Sequence, residues 1–324
     1  MTCTTDPAGV VTGAAAIGPS EAIVALCNAQ TLVGNQVLNQ LEVRGSNGAL
    51  VMSFPVPGKP LDIVHDAATN IAYATLFGGT NLVRIDLATS TVTTIPLGGI
   101  GLRLTLGNSG LVFVTLDDAQ TFPNRPLVIV NGSTATVENT QLIPYGGVLL
   151  TFDRATNLLY MGALGLSPSK LERYSFDPVA KTVTLLQTRA DAGNNGRNIT
   201  ISPNGLHVAF SCSQGNATNP IDYKIHDIDP TDLNTKFGLW NTGQYPVDAA
   251  FTPDNMKVVA SNGSELRRFD VGTHALLNNF VLAVPCPSSN VRRVAVSPGG
   301  KINYALVKCG ALGDSGKLYW FVTP

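Results

Sequence analysis

With 324 residues the chain has room for two ordinary domains, but that length also suits one closed all-β domain, and 44% hydrophobic residues are ample for a packed core. Lys and Arg (21) balance Asp and Glu (22), so there is no positive excess to draw in a phosphate backbone or an anionic membrane, and no nucleic-acid partner is expected. No apolar run reaches the ~18 residues of a membrane span, and the opening MTCTTDPAGV has neither the basic region nor the apolar core of a secretion signal, so neither a span nor a signal is expected within the chain.

In chain order, the first apolar pair is AAIGPSEAIVALC (15–27), in which Gly-Pro-Ser reads as a turn between two short strands. A clearer pair follows at IVHDAATNIAYATL (63–76), succeeded by NLVRIDLATSTVTTIPL (81–97), an alternating run that reaches an Asp-containing turn and returns. LTLGNSGLVFVTL (104–116) and LTFDRATNLLYMG (150–162) repeat the first kind of hairpin, and KLERYSFDPVAKTVTLLQ (170–187) repeats the second. ITISPNGLHVAFSC (199–212), AAFTPDNMKVVASN (249–262) and VAVSPGGKINYALV (294–307) are three near-copies of apolar strand, Ser/Thr-Pro turn and apolar strand. ELRRFDVGTHALLNNFVL (265–282) is a further alternating pair.

Taking Ser20, Asn70, Gly110, Asn157, Gly205, Asn255 and Gly300 as turn markers, the spacings are 50, 40, 47, 48, 50 and 45 residues. A four-stranded propeller blade occupies about 40 to 50 residues, so the fold expected is an all-β, seven-bladed β-propeller of four-stranded antiparallel blades, a single domain over 1–324. The continuous apolar runs are inner strands covered on both faces by neighbouring blades, and the alternating runs are outer strands with one wet face. The last unit ends at KLYWFVTP (317–324), one strand short, so an N-terminal segment before Ala14, placed at Ala8 to Thr12, is expected to complete blade seven and remove an unpaired edge.

The hairpins Ser202-Pro203-Asn204-Gly205, Thr252-Pro253-Asp254-Asn255 and Ser297-Pro298-Gly299-Gly300, with the outer-strand run Val83-Arg84-Ile85-Asp86, resemble the YVTN-type and lactonase-like seven-bladed propeller superfamily over nearly the whole chain. The asparagine that usually ends the second strand of such a unit is replaced by Cys27-Asn28, Cys212 and Cys309, and blades three and four lack the proline turn. That frame serves surface-layer proteins, binding modules, lactonases and quinoprotein-like enzymes, so the resemblance implies an architecture and no single activity.

The first strand of each blade lines the central channel. Four residues before each turn stand Ala14, Asp62, Arg103, Leu149, Asn198, Asp248 and Arg293, a ring in which Asp62 with Arg103, and Asp248 with Arg293, fall on adjacent blades. Two readings stand side by side: charges paired to hold blades together, or a channel-mouth pocket for an anionic or hydroxylated ligand, with Arg103, Arg293 and either Arg197 or Arg292 as forks. Asp62 and Asp248 could share a divalent cation such as calcium if the channel is narrow, and no other cofactor is expected. His65 and His226 precede Asp66 and Asp227, but adjacent strand residues face opposite ways, so neither dipeptide is a catalytic dyad. GxSxG, HExxH, P-loop and helix-opening GxGxxG patterns are absent, and Gly98-Gly99-Ile100-Gly101 reads as a blade connection. Trp240, Tyr245, Phe122 and Tyr145 are candidate loop aromatics for sugar stacking or protein contact.

The five cysteines show no zinc spacing, hence no metal site. Bridges Cys286 to Cys309 and Cys3 to Cys27 fit the strand layout, against the alternative of buried thiols. Disulfides, a 13% charged fraction and Thr/Asn-rich loops point to an extracytoplasmic (secreted, periplasmic or cell-surface) protein. Asn131-Gly-Ser, Asn216-Ala-Thr and Asn262-Gly-Ser match the glycan acceptor pattern. The function expected is a non-catalytic binding or structural propeller that recognises a protein or carbohydrate partner through loops on one face. Its rival is a lactonase-like or lyase-like enzyme with its site at the mouth of the channel.

Overall fold

The computed structural model describes residues 5–117, 124–143, 147–166, 168–214, 224–243, 245–282, 290–309 and 315–323. Its strands form seven four-stranded antiparallel sheets, and among the described residues no helix is long and apolar enough to cross a membrane. Six sheets are consecutive meanders. The innermost strands are Ile23–Ala25, Pro60–Asp66, Ile100–Leu106, Leu149–Asp153, Asn194–Ile201, Asp248–Phe251 and Asn290–Val296, one for each of blades one to seven.

The turn chemistry explains why one hairpin could be written in several sequences. In blades five, six and seven the hydroxyl of Ser202, Thr252 and Ser297 accepts the backbone N–H five residues on, from His207, Lys257 and Ile302, each at 3.0 Å. In blades two and four a carboxylate takes over: Asp66 accepts Ala68 N–H at 3.2 Å and Asp153 accepts Ala155 N–H at 2.9 Å. The chain then reverses through a left-handed residue at Asn70, Gly110, Asn157, Gly205, Asn255 and Gly300, as Asn and Gly permit. The outer turns use the acid of the VxxID-type run, since Asp86, Asp177 and Asp270 accept backbone N–H groups at 2.8 to 2.9 Å. These bonds hold the three carboxyls below their ordinary range.

Burial follows the ring. Among the described residues the apolar core divides into seven clusters, and each joins one blade to the next, from Leu26, Leu41 and Phe54 against Ile63, Ala72 and Ile85 between blades one and two, to Ile23 and Val33 against Ile17, Ile302, Tyr304 and Trp320 between blades one and seven. A blade is therefore stable only between two others.

Blade one departs from the sequence reading. Gly13–Ile17 pairs with Ser315–Val322 as the outermost strand of blade seven, in register from Gly13 opposite Trp320 to Ile17 opposite Gly316. The closing strand thus exists, but it lies at Gly13–Ile17 and not at Ala8 to Thr12. The pair 15–27 is not a hairpin: Ala15 to Ile17 belongs to blade seven, Ile23–Ala25 pairs with Thr31–Asn35, and the reversal is at Cys27 to Gln30, with Asn28 and Ala29 left-handed. Ala29, not Ser20, is the blade-one marker. Close approach fixes the closing strand, because a Cβ at Gly13 would stand 2.5 Å from Cζ2 of Trp320. Asp6 adds a clasp, accepting from Ser297 Oγ at 2.7 Å and Lys301 N–H at 3.0 Å.

Cys27 and Cys309 are disulfide-bonded, while the thiol of Cys212 is buried and donates to the Ala192 carbonyl at 3.6 Å. The expected partners Cys3 and Cys286 lie outside the described residues, as do Phe122, Tyr145 and Asn216. Trp240 is not a loop aromatic but a buried member of the cluster between blades five and six, its indole edge-on to Phe251 at 5.9 Å. Tyr245 is exposed. Asn262 is buried, with Nδ2 donating to the Thr242 carbonyl at 2.7 Å, which makes it a turn residue in place of a glycan acceptor.

Candidate functional site

Residue alternation along each inner strand sends every second side chain to the channel. In the structure, Asp62, Arg103, Leu149, Asn198, Asp248 and Arg293 line one cavity of about 310 Å³ bounded by inner strands of all seven blades. Ala14 is not in this ring. It lies on the outermost strand of blade seven opposite Tyr319, and blade one lines the cavity with Ile23, Val24 and Ala25.

The charges form one connected array. Asp248 accepts from Val294 N–H at 2.7 Å and Ala249 N–H at 2.9 Å, and from Asn198 Nδ2, so it ties blade six to blades five and seven. Asp62 accepts from Leu104 N–H at 3.2 Å, tying blade two to blade three. Arg293 sits between the two acids, with Nη2 3.4 Å from Asp62 Oδ1 and Nη1 4.0 Å from Asp248 Oδ1. Burial opposes its charge, but Asp62 and Asp248 outweigh that and raise it above its ordinary value, whereas burial pushes the Asp248 carboxyl up. The guanidinium between the acids supplies the positive charge that a shared calcium ion would have supplied, so the carboxylate pair does not fit a cation site. Among the described residues no group of three or more His, Cys, Asp or Glu is placed to hold a metal ion.

Arg103 is different. Its Nη1 is 3.9 Å from Asp62 Oδ1, beyond hydrogen-bond length, and is buried with no hydrogen-bond partner. On its other side blade four contributes the apolar Leu149. Burial, then the neighbouring Arg293, lower its pKa to about 10. A cation short of acceptors favours an incoming anion. Around it, Lys308 Nζ meets Glu21 Oε1 at 2.8 Å, Arg292 Nε lies 3.7 Å from Glu21 Oε2, and burial followed by Arg292 depresses Arg197.

Two residues further along the strands lies a second layer, the waist, in which Val24, Val64, Thr200, Ala250 and Ala295 line the mouth cavity, while Thr105 and Thr151, with Val24 and Val64, line a larger cavity of about 670 Å³. The two cavities share Val24, Ile63 and Val64.

Reading one strand at a time missed contacts between blades. Thr75 Oγ1 donates to the Leu102 carbonyl at 2.9 Å and Thr115 Oγ1 to the Val148 carbonyl at 3.0 Å, each joining its blade to the next. Asp227, fully buried, meets His207 Nδ1 at 3.0 Å and His274 Nε2 at 2.8 Å, a clamp between blades five and six. His226 and Asp227 do face opposite ways. Their only sequence signal was a polar residue in an apolar run.

His226 carries a pH prediction. Burial, with Lys236 and Arg189 adding, lowers it from 6.5 to about 3, so the native state holds the neutral ring while the unfolded chain binds a proton below pH 6.5. Its contribution is complete above that pH and fades as pH falls towards 3, by up to about 1.4 kcal/mol per pH unit. Urea titrations from pH 7 to 4.5 should show this slope in the native chain and a shallower one in H226L; equal slopes would assign the acid sensitivity elsewhere.

In comparisons with known proteins, no protein-family model matches the chain and no curated protein matches its sequence.

Proposed function

We propose that this chain is a non-catalytic binding propeller that takes the carboxylate of a partner at the mouth of its channel, with Arg103 as the fork and Arg293 as the neutralised post beside it. The observation that carries the reading is the buried Nη1 of Arg103 with no hydrogen-bond partner, set against Asp62 and Asp248, whose oxygens are already occupied by backbone and side-chain donors of their own and neighbouring blades. An acid so engaged is a poor general base or metal ligand, and this weighs against the lactonase-like or lyase-like alternative. The Ser/Thr-Pro hairpins and Asp-capped outer turns support membership of the YVTN-type and lactonase-like superfamily. The continuous ring of core clusters supports one domain over 1–324, and the disulfides at Cys27 and Cys309 support an extracytoplasmic location.

The test is calorimetry with small carboxylates at low ionic strength. R103Q is expected to weaken binding by about 10-fold or more, the value of a charge-assisted hydrogen bond, while keeping the native Tm within a few degrees. Unchanged affinity in a folded R103Q chain would move the site elsewhere.

A further inference from the structure

We infer that the channel carries a second binding site at its hairpin-turn end, and that its ligand is an uncharged, mainly apolar alcohol or phenol whose hydroxyl donates to Nδ1 of His65. The inference is independent of the carboxylate reading at the mouth. The site is the cavity of about 670 Å³, a volume within the range of small-molecule pockets, built from inner strands and turns of blades one to five. Its lining is hydrocarbon for the most part, from Val24, Ile63, Val64, Leu106, Phe152 and Ile201. The acids and the serine beside them are spent on their own turns. Asp66 accepts from Ala68 N–H at 3.2 Å and Thr69 Oγ1 at 3.0 Å, and Asp153 accepts from Ala155 N–H at 2.9 Å and from Thr156 Oγ1. Ser202 Oγ accepts Leu206 N–H and His207 N–H and donates to Asn204 Oδ1. Arg154 is exposed, so its charge stays in water. His65 is the exception. Its Nε2 lies 3.1 Å from Asn70 Oδ1, and a carbonyl oxygen only accepts, so Nε2 carries the proton. Burial holds the ring below its ordinary pKa of 6.5 against the opposing pull of Asn70 and Asp66, and a neutral ring with its proton on Nε2 keeps a lone pair on Nδ1. That nitrogen has no hydrogen-bond partner among the described residues and remains accessible. The hydroxyls of Thr105 and Thr151 on the same lining can each donate or accept, and carry no charge. An anion would meet Asp66 and Asp153 here, an ammonium would find their oxygens already taken, and a plain hydrocarbon would leave Nδ1 unmet. A single hydroxyl on an apolar body matches what the lining offers.

The experiment titrates the full chain at neutral pH with β-naphthol, its methyl ether and β-naphthoate, read by their fluorescence, and repeats the series on H65F and R103Q. β-Naphthol should bind about 5-fold or more tightly than its methyl ether, the value of one hydrogen bond between neutral groups, and more tightly than β-naphthoate. H65F should erase the preference for the naphthol over its ether, and R103Q, at the far end of the channel, should leave it intact. Equal binding of naphthol and ether to the native chain, a preference that survives in a folded H65F chain, or no binding of either would overturn the inference. So would tighter binding of β-naphthoate, which would assign the site to a charge, or a naphthol signal lost in R103Q, which would place the ligand at the mouth. If H65F does not fold, naphthol against ether on the native chain decides alone.

Discussion

A chain lacking the residues before Gly18 is expected to lose its ring closure and to aggregate or melt at least 10 °C lower than the full chain. The deletion removes the pairing of Gly13–Ile17 with Ser315–Val322, the Asp6 clasp on the blade-seven turn, and the bond from Trp320 Nε1 to the Val11 carbonyl at 2.7 Å. It also uncovers Trp320 and a full strand edge, and an unpaired flat edge invites intermolecular pairing. A peptide of residues 5–17 added in trans should recover solubility and part of the Tm. A subtler variant asks the same question, since G13V has to displace the Trp320 ring that a Cβ at that position would meet. A truncated chain that stays monomeric with its native Tm would show that blade seven needs no fourth strand.

D248A is expected to cost about 3–5 kcal/mol, the usual penalty for removing one partner of a buried ion pair, and on the order of 10 °C in Tm. The loss exceeds one salt bridge because three donors converge on this carboxylate, Val294 N–H, Ala249 N–H and Asn198 Nδ2, with the guanidinium of Arg293 4.0 Å away. D248N restores an acceptor but presents an amide to a set of donors, so it should fall between D248A and the native chain. N198A, which removes only one donor, should cost about 1 kcal/mol. If D248A were as stable as N198A, the array at the mouth would not be what holds blades five, six and seven in place. Thermal denaturation of the three variants side by side gives the ordering.

Much of this architecture was legible because a propeller repeats one physical problem seven times. A hydroxyl or carboxylate recurs at the inner hairpins of blades two, four, five, six and seven, and a left-handed Asn or Gly between apolar flanks at all of blades two to seven, so their register, and with it Asp62, Arg103, Asn198, Asp248 and Arg293 in a common ring, followed from local chemistry. Blade one failed for a definite reason. Gly18-Pro19-Ser20 marks a change of direction, but a turn residue says that the chain bends and not which sheet it enters; here it carries the chain from the outside of blade seven to the inside of blade one. Trp240 was misplaced because its neighbours Asn241, Thr242 and Gly243 read as loop, while its burial is set by Phe251 and His274 on another blade. The Asp227 clamp joins residues far apart in sequence, and no periodicity encodes such a contact. The unmet Nη1 of Arg103 likewise depends on Leu149 of the next blade and on Arg293 of blade seven, which meets the same Asp62 oxygen only once the ring is closed.

The most direct measurement is a crystal soaked with bromoacetate and read by anomalous scattering at the bromine edge. A carboxylate on Arg103 predicts one strong peak in the channel mouth, its carboxyl oxygens within hydrogen-bond distance of that guanidinium and its bromine directed at the waist. A mouth holding only water, with bromine elsewhere or nowhere, would contradict it.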